Sequence, residues 1–417
     1  MKAGGPMAEG DCSGWGVRVS LFVVGLCLVM SGGFAASARG QSLDDLIAGI
    51  EGGASSADAL VCESTGEPGP TDTWNMPLPP QRPFVGFNED AVAGVHGVAP
   101  VDYVGHVRTI GGNVLRTNID WRNAEPKRDC WDDEWWSHWR DLYAAAITRG
   151  VRPVFIIGSA PDWARGEAAE QACKGYANCS FPPSKQMNQE WAEFAAEVAT
   201  RFPQALIEVW NEPNLRSMWS SASGPNPERF AELVVLADEA IEAASPETET
   251  VLGGLLGVRR VQGTSGAMPL REFLSRAYAA DASISGRSDY LGLHPYTTRA
   301  RIGRKSAFRQ SLRTMRLIRD RNGDPAPILI TEFGISTASP TVDETRQTMT
   351  LDRVHDMLLA EPDVAGVIYH RVIEPRDTTD DPVEIGYTWL RHGGTPPEPR
   401  PVYCHFAERA GNVYKGC

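Results

Sequence analysis

Apolar residues along this chain recur in two alternating rhythms. Short runs, in which apolar positions fall two apart or adjoin, are followed by longer stretches where they fall three and four apart. The short runs are "PFVGFN" (Pro83 to Asn88), "NVLRTNI" (Asn113 to Ile119), "RPVFIIG" (Arg152 to Gly158), "LIEVWN" (Leu206 to Asn211), "TVLGGLL" (Thr250 to Leu256), "YLGLHPY" (Tyr290 to Tyr296), "PILITEF" (Pro327 to Phe333) and "GVIYHR" (Gly366 to Arg371). Between them lie helical patterns such as "DEWWSHWRDLYAAAITRG", "PERFAELVVLADEAIEAA" and "SAFRQSLRTMRLIRDRNG". Several close on Gly or Pro just before the next strand. Strand-then-helix units repeated in this way over about 320 residues predict an α/β fold, the (β/α)8 TIM barrel. A doubly wound sheet would carry a Gly-rich phosphate-binding turn after its first strand, and "PFVGFNEDAVAG" has no G-x-G-x-x-G. No cofactor is expected.

Ahead of the barrel pattern, Val19 to Ala38 runs without a charge behind Arg18 and ends in Ala36-Ser37-Ala38. These are the parts of a secretory signal: basic flank, apolar core and small-residue cleavage site. Residues 1–38 are therefore expected to be a signal peptide, or an anchor if uncleaved, since the run is just long enough to span a bilayer. Residues 39–80, rich in Gly, Ser, Asp and Pro, read as a linker. The barrel and a C-terminal tail occupy 81–417. Without Cys12 and Cys27 of the leader, the 8 cysteines become an even set that suits disulfides in an oxidising compartment. Cys173 with Cys179 and Cys404 with Cys417 are the expected pairs, leaving Cys62 with Cys130. The protein is expected to be secreted, touching a membrane only through an uncleaved leader.

Lys and Arg total 40 against 53 Asp and Glu, a net charge of −13. That balance argues against nucleic acid or anionic lipid as a partner and suits a neutral or polymeric substrate. No C-x-x-C or H-E-x-x-H spacing occurs, so no metal site is expected. A monomer is expected.

In a barrel of this kind reactive groups sit at the C-terminal strand ends. Those ends are polar here: Arg116 and Asn118 in strand two with Asp120 and Trp121 beyond, Asn211 and Glu212 after strand four, His294 and Tyr296 on strand six, Glu332 on strand seven. Glycoside cleavage needs such a carboxyl pair, one to protonate the departing oxygen and one to meet the cationic sugar carbon. With one carboxyl of such a pair ionised, its neighbour resists losing its proton and stays available as an acid. Once the ionised one is capped by sugar the repulsion vanishes and the other can activate water.

"WNEPN", "TEFG" and "HPY", with "LRTNIDWRNAEP", "RPVFIIGSAPDWA" and "GGTPPEPRPVY", resemble the clan A retaining glycoside hydrolases, (β/α)8 enzymes of the cellulase and β-xylosidase kind. The resemblance extends over most of Pro83 to Phe406. It implies a retaining β-glycosidase that hydrolyses O-glycosidic bonds of oligo- or polysaccharides by double displacement. Residue by residue, it makes Glu212 the general acid/base and Glu332 the nucleophile. Asn211 would bond the sugar 2-hydroxyl, Arg116 and Tyr296 would hold Glu332 ionised and oriented, and His294 would line the same subsite. The clan's strand eight usually ends in a Trp that floors the sugar subsite, whereas this chain has Tyr369, His370 and Arg371. Either Tyr369 or His370 takes that place, or Trp389 arrives from the following loop. Trp121, Trp163 and Trp219 follow strand ends and are further subsite candidates, while Trp135 and Trp139 read as packing at helical spacing. A non-catalytic glycan-binding barrel at the cell surface, or a transglycosylase using the same residues, fits the same pattern.

Overall fold

In a computed structural model, the structure describes residues 82–89, 100–166, 172–174, 179–258, 266–297, 302–374, 381–392 and 395–417. The expected leader and linker, and Cys62, lie outside these. Parallel strands close a barrel in sequence order: β1 (Phe84–Asn88), β2 (Val114–Asp120), β3 (Arg152–Gly158), β4 (Leu206–Asn211), β5 (Glu249–Leu256), β6 (Tyr290–His294), β7 (Ile328–Phe333) and β8 (Val364–His370). The ring closes by β8 pairing with β1, Phe84 opposite Gly366 and Asn88 opposite His370. The expected (β/α)8 fold is thus the one found, each strand within two residues of its predicted bounds.

Helices surround the barrel: α1 (Pro100–Thr109), α2 (Trp121–Ala124), α3 (Asp133–Ile147), α4 (Asn188–Arg201), α5 (Pro227–Ala244), α6 (Leu270–Ala280), α7 (Ala307–Arg321), α8 (Glu344–Leu359), α9 (Pro382–Tyr387) and α10 (Pro401–Arg409). A short antiparallel pair, β9 (Leu390–Arg391) and β10 (Glu398–Pro399), follows α9. The helix starts are written locally. Asp132, Asn226, Ser306 and Asp343 each accept a hydrogen bond from the backbone three residues on, satisfying an otherwise orphaned N–H. In α7 only Phe308, Ser311, Leu312, Met315 and Ile318 are buried, one stripe of an otherwise strongly basic helix.

Strand side chains alternate between the barrel interior and the helical layer. Phe84, Val114, Val154, Leu206, Val251, Tyr290, Leu329 and Ile368 pack together as an apolar plug inside the barrel. Two or four residues further along the same strands stand Asn88, Arg116, Glu208, His294, Thr331 and His370, all buried. The plug seals the lower end, so this polar layer is held in a low-dielectric setting where every group needs a partner. The opposite parity, including Phe87, Leu115, Phe155, Ile207, Leu252 and Tyr369, packs into the main core with the helices.

Trp139 meets Phe155 edge-on at 5.9 Å and Trp135 packs on Trp139, as the helical spacing predicts. Cys173 is bonded to Cys179, and Cys404 to Cys417. Cys130 is also disulfide-bonded. No helix among the described residues is long and apolar enough to cross a membrane.

Candidate active site

Strict alternation along β4 would place Trp210 beside Glu208 inside the barrel. Instead Trp210 takes a left-handed backbone (φ 75°), and its ring packs between Trp191 and Trp219, with ring centroids 6.0 and 5.0 Å away. There its indole N–H donates to the Met218 carbonyl at 2.6 Å. Glu212 is left-handed too (φ 44°) and is anchored by its N–H to the Gly254 carbonyl at 3.0 Å. Each such bulky residue costs roughly 1–2 kcal/mol, and the barrel around them holds the conformation. The result is that Asn211 and Glu212, consecutive in sequence, both serve the same site. Gly254 makes room for it: a Cβ there would fall 2.1 Å from His294 Nε2 and 2.7 Å from Glu208 Oε1. On the far side, the β7–β8 register slips between Ile330 and Phe333, and Glu332 sits in that irregularity.

Arg116 organises the layer. Its Nε and Nη2 donate to the two oxygens of Glu208 at 2.6 and 3.0 Å. Nη1 donates to Asn88 Oδ1 at 2.6 Å and to Glu332 Oε2 at 3.0 Å, and Nη2 reaches Asn211 Oδ1 at 2.7 Å. Such a fork of charge-assisted bonds fixes position as well as charge. With its oxygen committed to Arg116, the Asn211 amide keeps its NH2 for other partners. Tyr296 donates its hydroxyl to Glu332 Oε1 at 2.6 Å. Burial, then the Glu332 charge, pushes the Tyr296 pKa well above its usual value, so that proton stays in place.

His294 is fully buried, and burial lowers its pKa to about 4, so the ring is neutral. Its Nε2 lies 3.4 Å from the always-donating Arg116 Nη2 and 3.1 Å from the Thr331 hydroxyl, which makes Nε2 the acceptor. The ring proton is therefore on Nδ1, donated to Glu212 Oε1 at 2.9 Å. Carboxylate oxygens of Glu212 and Glu332, with His294, all lie within 4.8 Å of one another, the one group among the described residues close enough to hold a metal ion. The commitment of the Nδ1 proton to Glu212 opposes that use. Both glutamates keep a little solvent exposure, their side chains 11% and 14% accessible, as groups at the base of a cleft would.

Arg116, Asn211, Glu212, His294, Tyr296 and Glu332 are thus brought together. The other aromatic candidates are not. Tyr369 has the outward parity: its hydroxyl bonds His355 Nδ1 at 3.0 Å, and its ring lies against Phe406 and Trp389. Trp389 is likewise in the core, edge-on to Phe87 at 4.8 Å. Trp121 is fully buried, stacked on Phe194 at 5.5 Å and bonded through its N–H to Glu125 at 2.7 Å. Trp219 is buried against Trp210 and Phe230. Trp163 is half-buried, edge-on to Trp121 and bonded to the Glu125 carbonyl. Of the strand-eight residues it is His370 that faces the site, 3.8 Å from Glu332 Oε1.

The sequence reading missed Asn88, Glu208 and Thr331, and also Glu384 on α9, which holds His370 Nε2 at 3.0 Å. A signal for the first three existed. Each is a polar residue sharing parity with the plug residue two or four positions earlier.

No protein-family model and no curated protein sequence matches the chain. Its fold does match solved structures. A family 39 glycoside hydrolase from the gut symbiont Bacteroides cellulosilyticus superposes with a TM-score of 0.55 at 18% identity, over 79% of this chain and 64% of that one, just under two thirds of its length. A GH39 β-xylosidase from Caulobacter crescentus gives 0.55 at 15% identity, over 79% and 71%. The hyperthermophilic β-glucosidase from Pyrococcus furiosus gives 0.56 at 13% identity, over 81% and 97%. At these identities what is shared is the (β/α)8 fold; this chain carries a buried acidic cluster at the ends of β4 and β7.

Proposed function

We propose that this chain is a retaining β-glycosidase that cleaves O-glycosidic bonds of oligo- or polysaccharides, exported by its leader and needing no cofactor. The observation that carries the reading is the approach of Glu212 and Glu332 to within 4.8 Å across the cleft. Retaining enzymes hold their carboxyl groups about 5–5.5 Å apart so that one attacks directly, whereas inverting enzymes leave roughly 6.5–9.5 Å for a water.

In the first step Glu332 attacks the anomeric carbon while Glu212 gives its proton to the departing oxygen. Arg116 and Tyr296, one on each oxygen of Glu332, keep the nucleophile aimed. The NH2 of Asn211 meets the sugar 2-hydroxyl, a bond that strengthens as the ring gains positive charge. His294 donates to Glu212 Oε1 in both steps and keeps the carboxyl oriented while its proton is given and later taken. In the second step Glu212 removes a proton from water, which releases the sugar and restores Glu332. A sugar hydroxyl in place of that water gives transglycosylation by the same residues.

The test is a panel of aryl β-glycosides and β-glycans, with Glu332→Gln as control. Product with retained anomeric configuration from wild type and none from the variant is expected. Oligosaccharide binding without product would instead favour a non-catalytic glycan-binding barrel.

A further inference from the structure

We propose that His370, gripped by Glu384 from α9, is a positioning residue for Glu332 and offers the nucleophile a second cation beside Arg116. The inference deepens the glycosidase reading and rests on it. Where the clan A resemblance leads one to expect a flat, apolar indole, this chain places a ring that can carry charge.

The groups facing His370 come from β1, β7 and α9 and from the segments that follow β6 and β8. Glu384 Oε2 on α9 lies 3.0 Å from Nε2, and Glu332 Oε1 on β7 lies 3.8 Å from Nδ1. Asn88 Nδ2 on β1 is 3.2 Å from Nδ1. Arg371 follows on the chain, its guanidinium shared by Glu89 and Glu384, and the rings of Tyr296 and Tyr387 stand 6.3 and 5.4 Å away. Two of these contacts compete for Nδ1. The Asn88 amide is oriented by Arg116, which takes its oxygen, so its NH2 points at Nδ1 and suits a neutral ring. The two carboxylates suit a protonated one.

Charge decides between them. Burial alone would lower the His370 pKa, but Glu384 first and Glu332 next outweigh it and carry it up to about 9. A neutral hydrogen bond from the Asn88 amide is weaker than the attraction of two close, poorly screened carboxylates. Near neutral pH His370 is therefore an imidazolium with its Nδ1 proton drawn toward Glu332. When that proton is lost, Nδ1 returns to Asn88 and the nucleophile keeps only Arg116 and Tyr296.

One test needs no turnover. The imidazole signals of His370, assigned by their loss in His370→Asn, are followed by NMR against pH in full-length protein. Wild type is expected to titrate near 9, Glu384→Gln about one pH unit lower, and Glu332→Gln lower by a smaller amount. A midpoint at or below the ordinary histidine value, or one that neither substitution moves, overturns the assignment whether or not any glycoside is cleaved. The second test is kinetic. With an activated aryl glycoside whose leaving group needs no proton, Glu212 drops out of the kcat/KM profile. The alkaline limb is then expected to follow His370, moving to lower pH in Glu384→Gln and vanishing in His370→Gln, which runs roughly tenfold slower at its plateau. A limb identical in all three proteins overturns the positioning role.

Discussion

Arg116 and Glu208 are joined by two hydrogen bonds of 2.6 and 3.0 Å, with neither side chain open to solvent. The pair explains how a guanidinium can sit against the nucleophile in a sealed barrel. Glu208 balances the charge, and the N–H groups it leaves free reach Glu332, Asn88 and Asn211. Glu208 also accepts the Gly254 N–H at 2.7 Å, which ties the guanidinium to β5 and to the residue that anchors Glu212.

Replacing one member of such a pair leaves the other charge buried and uncompensated, a loss of about 3–5 kcal/mol. Glu208→Gln keeps the shape and removes only the charge. It is expected to lower the midpoint of thermal unfolding markedly and to reduce kcat far more than it changes KM, because Arg116 is displaced from Glu332 rather than from the sugar. Unfolding and steady-state kinetics on the same preparation check this, and an unchanged midpoint would sink it.

Tyr369 makes the opposite case. Its position in the sequence suggested a sugar platform, yet its hydroxyl spans to His355 on α8. Tyr369→Phe removes that hydrogen bond and leaves the ring, so a stability loss of about 1 kcal/mol is expected with no change in KM for any substrate. A rise in KM at unchanged stability would return Tyr369 to the sugar site.

The barrel was legible because each strand is a short apolar run closed by Gly, Pro or a polar residue, and β3 and β4 fall within their predicted bounds to the residue. Both glutamates were legible for the same reason, each ending such a run. Tyr369, His370 and Trp389 stayed open as alternatives because side-chain type does not choose among them, whereas period-two parity counted from Ile368 assigns the inward position to His370. Parity has limits of its own. It puts Trp210 inside, and only the left-handed backbone at that residue, invisible in sequence, turns the ring out and Asn211 in. Glu384 carried no signal, since it reaches His370 from a six-residue helix whose place depends on the closed barrel.

The buried histidines also set how stability depends on pH. His106, His294 and His355 are all lowered to about 4 by burial, with Asp102 opposing the shift at His106, Glu332 opposing it at His294, and Arg409 adding to it at His355. Between pH 6.5 and 4 the unfolded chain binds protons at these residues that the folded one refuses, so stability falls as pH falls through that range. Each contributes on the order of 1–3 kcal/mol across the window. His370 works the other way. With its folded value raised to about 9, its contribution is complete below 6.5 and is lost as pH rises through 9. The histidines together therefore predict a stability maximum near pH 6.5–7, with an acid side set by three residues and an alkaline side by one. Thermal unfolding from pH 4 to 10 measures both sides. His355→Gln is expected to flatten the acid side while leaving the alkaline side alone, and His370→Asn the reverse. If one substitution flattened both sides equally, the division of labour would be wrong.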